Sequence, residues 1–285
     1  MTDRRFVLAA LVLACLGISL FVSAPPPLEE HAPVAADIPV ASMLAALQGA
    51  NEAVRALWTR EIVQGGGPAG LKFDEHWRDA DLDAGPLPAL FLRETARSLE
   101  RHPLRLSLFL GSDFPIAKAN AFEGAQLERF RQLRADRAPQ FFVVPDTGLH
   151  TGMFADLAVT EACVQCHNEH ADTPKRDWRL GDVMGAVTWS YPTAMVSLDE
   201  FQRAVAALHQ AVRDAYEAYL AKARGFTRPP SIGACWPRDG YCLPDADTFM
   251  AEVYVRTAPK TLAALNALAE RRRPEPAPPA ADAAR

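Results

Sequence analysis

At 285 residues the chain is long enough for one domain with appendages or two small ones, and its 49% hydrophobic and 23% charged residues exclude a wholly disordered or polytopic membrane protein. Thirty Lys and Arg against 35 Asp and Glu leave a net charge of -5, and no basic run exceeds Arg271-Arg272-Arg273, so no nucleic-acid partner is expected. The cysteines are too few for a disulfide scaffold, and their placement at Cys15, at Cys163 with Cys166, and at Cys235 with Cys242 asks for three separate explanations.

From Phe6 to Ala24 nineteen residues carry no charge, enough to cross the roughly 30 Å core of a bilayer as a helix. Arg4 and Arg5 precede the run and only Glu29, Glu30 and Asp37 lie close behind it, which places the start in the cytoplasm and everything after residue 24 outside. Residues 1–24 therefore read as an anchor in the bacterial inner membrane, with the body on the periplasmic side. A cleaved signal peptide is the alternative, since Val22-Ser23-Ala24 resembles a cleavage site, but Pro25-Pro26-Pro27 follows at once and should obstruct a peptidase. Cys15 reads as a thiol buried in the membrane rather than a lipid-attachment site, because Leu16 to Phe21 behind it stays apolar. Residues 25–40 form a stiff Pro-rich linker.

Residues 41–63 lack proline and carry Leu44, Leu47, Val54, Leu57 and Ile62 near helical spacing before Gly65-Gly66-Gly67, which predicts a long first helix. Pro88–Leu99 and Ala121–Leu133 predict two shorter helices. Strand signals come at Leu104, Leu106, Leu108 and Leu110, then at Phe141–Val144, Met153–Val159 and Val187–Tyr191. Ser197 and Glu200 make a capping box ahead of the stripe Phe201, Val205, Leu208 and Val212, so a helix is expected up to Gly225. Thr227–Asp247 reads as a Pro-rich loop holding Cys235 and Cys242, Thr261–Arg272 as a last helix, and residues 274–285 as a Pro/Ala tail without a core. The fold class is α+β: a long N-terminal helix before a mainly antiparallel sheet over residues 41–192, then a helical extension over 193–273.

Cys163-Val164-Gln165-Cys166-His167 is C-x-x-C-H. Two thiols one helical turn apart can form thioethers with the two vinyl groups of one haem, and the adjacent His is placed to ligate the iron. This composition yields on the order of 0.002 such runs by chance. A zinc site would want a second Cys or His pair, for which Cys235 and Cys242 are badly spaced, and a thioredoxin-like dithiol needs no His. One covalent haem c is the expected cofactor, and haem c is attached outside the bacterial membrane, in agreement with the amino terminus. Lys175, Arg176 and Arg179 follow the motif, where they either neutralise haem propionates or simply line a solvated loop. Cys235 and Cys242 read as a structural disulfide worth about 2 to 3 kcal/mol, with free thiols the alternative.

The run Cys163–Asn168, continued by Thr173-Pro174-Lys175, Asp177-Trp178, Gly181-Asp182-Val183 and Gly185, and preceded by Pro86-Leu87-Pro88, Phe114-Pro115 and Asn120, resembles the single-haem c domain with a PAS-like fold. That domain is found as secreted or anchored bacterial proteins and as the extracytoplasmic sensor of histidine kinases and chemoreceptors. The resemblance covers residues 41–192 and implies a haem c against a five-stranded or similar sheet, attached at Cys163 and Cys166 with His167 as proximal ligand. Family members often supply a soft distal ligand from the first helix. This helix holds only Met43, some two turns ahead of the aligned position near Asn51; Met153, Met184 and His150 are the other candidates, and His170 is too close to His167 to reach the far face of a ring. No later stretch approaches 18 apolar residues, so an output across the membrane would need a redox or signalling protein partner, and the first helix offers a face for a homodimer. Electron transfer or redox sensing is the expected role, small-gas sensing the second reading, and a peroxidase-like enzyme the third, because no distal His and Arg pair stands at recognisable spacing.

Overall fold

The computed structural model describes Leu13 and residues 38–271, with side chains as far as Asn266. The expected anchor, most of the linker, Cys15 and the tail lie outside the described residues. Among those that are described, no helix is long and apolar enough to cross a membrane.

Strand β1 (Ile38–Pro39) leads into helix α1 (Val40–Leu57), whose proline N-cap offers no side-chain cap; the Val40 N–H instead donates to the Ala194 carbonyl at 2.9 Å. The helix continues as a π-helical segment, Trp58–Gln64, in which the Gly65 N–H donates five residues back to Arg60, and ends in α2 (Gly65–Ala69) at Gly70, whose φ of 100° suits a residue without Cβ. Short β2 (Phe73–Asp74) and β3 (Gly85–Pro86) pair in parallel before α3 (Pro88–Arg101), which opens with proline in its first turn.

The central sheet is fully antiparallel. It is built from β4 (Ser107–Gly111), β5 (Gln140–Val143), β6 (His150–Leu157) and β7 (Val183–Tyr191), in the order β4-β7-β6-β5, with α4 (Gly124–Asp136) between its first two strands. Four strands thus stand where the resemblance implied five or a similar number. The first strand starts at Ser107 rather than Leu104. Every residue of β7 is buried, as a central strand covered on both faces requires. On one face Phe122, Phe130, Leu133, Met153, Val183 and Ala186 form a small core under α4. On the other, α1 crosses the sheet and Gln48 Oε1 accepts from Trp189 Nε1 at 2.9 Å.

After β8 (Met195–Val196), which pairs with β1, the capping box of Ser197 and Glu200 starts α6 (Leu198–Arg224) as expected. A buried run of alanines, Ala204, Ala207, Ala211 and Ala215, lets α6 lie close against α3. Two further short strands, β9 (Ser231–Gly233) and β10 (Cys242–Pro244), pair in parallel. The last helix, α7 (Ala246–Arg271), starts well before Thr261, because Asp245 Oδ1 accepts the Thr248 N–H at 2.8 Å and so caps its first turn. Pro259 lies inside it. The carbonyl that Pro259 deprives of a donor belongs to Val255, an exposed residue where water can replace the bond.

Helix α7 packs along α1, with Lys260 against Gly49, and both share one core with α3, α6 and the helical face of the sheet. At its centre Trp58 stacks on Phe91 at 4.2 Å, Tyr216 stacks on Phe249 at 4.0 Å, and Tyr219 meets Trp58 edge-on at 5.4 Å. A Cβ at residue 85 would fall 2.4 Å from the Tyr219 ring, which is why glycine stands there.

Candidate functional site

Between β6 and β7 the chain leaves the sheet for residues 158–182. The base of this excursion is tied twice, by Ala158 N–H to Asp182 O and Gly181 N–H to Ala158 O, both at 2.9 Å; Gly181 takes φ of 81° in the turn that Arg179 and Asp182 close. The excursion contains α5 (Glu161–Glu169), which carries the C-x-x-C-H run. Thr160 caps its start by accepting the Cys163 N–H, with Glu161 in the first turn where an anionic side chain is favourable. Thr160 Oγ1 also lies 3.2 Å from Cys163 Sγ.

The carboxyl end of α5 is held by side chains from further along the excursion. Arg176 donates to the carbonyls of Asn168 at 3.0 Å and His170 at 3.2 Å, satisfying groups that a helix end leaves orphaned. Asn168 grips the backbone of Trp178 at two points: its Nδ2 donates to the Trp178 carbonyl at 3.0 Å and its Oδ1 accepts the Trp178 N–H at 2.9 Å. Lys175 lies 4.4 Å over the Trp178 ring and pairs with Asp177. His170 Nε2 sits in the fork of the Glu75 carboxylate, 3.1 Å from each oxygen, so His170 is tied to the segment after β2.

Cys163 and Cys166 are unbridged, one turn apart on α5, the first half-buried and the second exposed. Partial desolvation pushes the Cys166 thiol up, and Glu75, Cys163 and Glu169 add to it. Burial pushes the His167 imidazole below its ordinary range; Asp156 opposes the shift and His170 adds to it. His167 Nδ1 is buried without a partner. Asp156 in turn pairs with Arg55 of α1 at 2.9 Å, which links the site to the first helix.

A break in the ladder shapes the floor. Asp156 faces Gly185 but Leu157 faces Val183, so Met184 has no partner on β6 and leaves the alternation of the strand. Met184 therefore joins Ala158 and Trp178 in a small buried cluster against which Cys163, Val164 and Phe114 pack. Around it Leu157, Val159 and Leu180 are 39%, 71% and 50% exposed, an apolar rim beside the motif.

Of the residues expected at the site, Cys163, Cys166, His167, Lys175, Arg176 and Arg179 all lie on the excursion. Arg176 is committed to backbone carbonyls and Lys175 to Asp177 and the Trp178 ring, which leaves Arg179 of the three to face a bound anion. Met43 is fully buried in the large helical core, Met153 lies under α4, and His150 starts β6 opposite Tyr191; only Met184 is brought to the motif. Asn51, at the position aligned with a distal ligand, is buried with no partner for its Nδ2. The sequence reading did not identify the Asn168 clamp, the Glu75 pairing or the re-aimed Met184, although a Thr three residues ahead of a helical Cys is a legible cap.

Two thiols on one helix edge, an imidazole whose neutral form is favoured, an uncovered apolar rim and the exposed Arg179 fit a haem. Over residues 74–192 the chain is similar to the Tll0287-like family, whose model matches that span. The matched span holds the sheet, α3, α4 and the whole excursion, and it stops before α6. No curated protein and no solved structure matches the chain.

Proposed function

We propose that the chain is an exported, membrane-anchored mono-haem c protein, with thioethers at Cys163 and Cys166 and His167 as proximal iron ligand, that acts in electron transfer or redox sensing on the periplasmic side of the inner membrane. The observation that carries this reading is the motif corner: two unbridged thiols one turn apart, beside a half-buried imidazole with an unpaired Nδ1, inside a rim of exposed Leu and Val. The Tll0287-like match over 74–192 supports a haem-binding domain in that span. The order β4-β7-β6-β5, with helices on both faces, supports the finer PAS-like reading.

When bound, the haem supplies an iron that takes up and returns one electron. The chain holds it in place. The Thr160 cap starts α5 so that both sulfurs lie on one edge, and burial favours the neutral imidazole, which is the ligating form. Leu157, Val159 and Leu180 offer apolar cover, while Arg179 supplies positive charge for propionates and Lys175 would have to share its charge with Asp177. Helix α1 exposes only Ala45 and Glu52, and its π-helical continuation Arg60 and Gln64, so a homodimer through this face would meet small, polar and charged side chains. The electron or signal then passes to a separate protein partner.

Small-gas sensing is the second reading, favoured by one observation: Met43, the sole sulfur of the first helix, is packed in the helical core, and the amide Asn51 stands nearer the sheet-facing ion pair. An open sixth position would follow. Protein produced with a c-type maturation system should keep its haem through acid-acetone extraction with a mass gain of one haem; extractable haem, or zinc in its place, overturns the proposal. Spectra of oxidised, reduced and CO-treated protein separate the two roles. Retention on membranes in high salt, with protease access to residues 25–285, checks the anchor, and a new terminus at Pro25 would replace it with a signal peptide.

A further inference from the structure

We infer that Cys235 and Cys242 form an intramolecular disulfide that closes the loop lying against the π-helical corner of the first helix, at the root of α7. Both thiols are free in this structure, and the two side chains face each other reciprocally. Cys235 Sγ lies 3.6 Å from the carbonyl of Leu243, the neighbour of Cys242, and Cys242 Sγ lies 2.8 Å from the carbonyl of Trp236, the neighbour of Cys235. Each sulfur thus reaches across the loop to the backbone beside the other. Cys242 is buried, and burial with the nearby Cys235 pushes its thiol up to about 12.

The loop needs such a tie. Strands β9 and β10 run parallel with only residues 234–241 between them, whereas a parallel pair is ordinarily joined by a crossover of about a dozen residues or more. In place of a crossover helix the loop rests on the first helix: Arg238 pairs with Glu61 at 3.8 Å, Pro237 borders Gly65, and the Tyr241 ring borders Gly70. Tyr241 is also held from behind, by its hydroxyl donating to the Arg228 carbonyl at 2.9 Å and by the Arg228 guanidinium over its ring. Helix α7 begins just beyond β10, so the loop sets where that helix is launched along α1.

The chemistry balances as an exchange. The Sγ–Sγ bond forms, and the two protons and two electrons of the thiols pass to the disulfide of a thiol-oxidising protein, or of a small disulfide compound, which becomes two thiols. Setting aside Cys15 in the expected anchor, four cysteines allow three complete pairings, and haem on Cys163 and Cys166 leaves only this one. The inference rests on the exported location proposed above, because such bonds persist outside the cytoplasm.

Peptide mapping of the exported protein after maleimide labelling, without and then with reductant, tests it. The expected result is no label on Cys235 or Cys242 before reduction, label on both after it, and one cross-linked peptide pair. Haem-loaded protein in which both residues label without reductant overturns this inference alone. A mapped bridge in protein that carries no covalent haem overturns the haem reading alone. A double Cys235→Ser, Cys242→Ser variant should keep the haem spectrum and lose about 5 °C of Tm; an unchanged Tm would deny the loop its fastening role.

Discussion

The helical side of the molecule and the motif corner are built on opposite rules. Around Trp58 and Tyr216 the rings interlock, α6 and α7 cover α1, and the alanines of α6 remove the gap to α3. Around Cys163 the backbone leaves the sheet, and order comes from side chains bonding to carbonyls: Arg176 on the end of α5, Asn168 on Trp178. Apolar surface is hidden around Trp58 and displayed around Cys163, although the outer face of α7 also exposes Tyr254, Val255 and Leu262. Stability resides in the first region, and the second is a shaped surface awaiting an apolar partner, so a change on one side should leave the other side's readout alone.

The largest effect tests that separation directly. Replacing Cys163 and Cys166 with Ala should abolish covalent haem entirely, while far-UV circular dichroism shows the helices retained; loss of helical signal would show that the corner supports the core after all. Next, Trp58→Ala removes a fully buried ring from the array and should cost about 3 to 5 kcal/mol, seen as a lower denaturant midpoint, with the haem spectrum of the folded fraction unchanged. A matched pair comes third. Met43→Ala should cost about 2 to 5 kcal/mol and leave the spectrum alone, whereas Met184→Ala should shift the spectrum because that side chain shares a cluster with Cys163. A spectral change in Met43→Ala would reverse the assignment and return the distal position to the first helix.

Smaller effects sharpen the picture. Asn168→Ala deletes both bonds to the Trp178 backbone and should cost about 1 to 3 kcal/mol, read as faster hydrogen exchange at the Trp178 amide with protection in α6 unchanged. The smallest concerns pH. Burial holds the His209 imidazole below its ordinary value of 6.5, where its Nε2 lies 3.0 Å from Thr257 Oγ1 between α6 and α7. Above that value both folded and unfolded states are neutral there and the group is silent. As pH falls below 6.5 the unfolded chain takes a proton that the folded chain resists, so stability declines until the folded group also titrates. His209→Gln should flatten that part of the stability profile, and an unaltered slope would assign it elsewhere.

What could be read from the residues depended on how local the cause was. The C-x-x-C-H run and the Ser197–Glu200 capping box are contained within a few positions, and both are found where expected. Helix α7 begins at Ala246 rather than at the expected Thr261, and it runs through Pro259 because the carbonyl left without a donor belongs to the exposed Val255, a tertiary fact. The leucines at 104 and 106 alternate like a strand but precede it, since pairing with β7 begins only at Ser107. Nothing in the order of residues announces the ladder break that turns Met184 toward Cys163, or that Arg176 would be drawn to the end of α5. Those depend on which strand lies opposite, and on where a loop returns.

The wide turn at Trp58–Gln64 has a comparative consequence. A π-helical segment is an α-helix that absorbs one residue too many, so Gly65–Ala69 keep the facing of an uninterrupted helix one residue shorter; the same extra residue in ordinary winding would swing them by about 100° around the axis. Gly65 and Gly70 would then no longer meet Pro237 and Tyr241. Both the extra residue and the loop it meets fall outside residues 74–192, the span shared with the Tll0287-like family. In an alignment of relatives a one-residue gap in the first helix should therefore be compatible with the loop and its paired cysteines, whereas an insertion that the helix does not absorb should not.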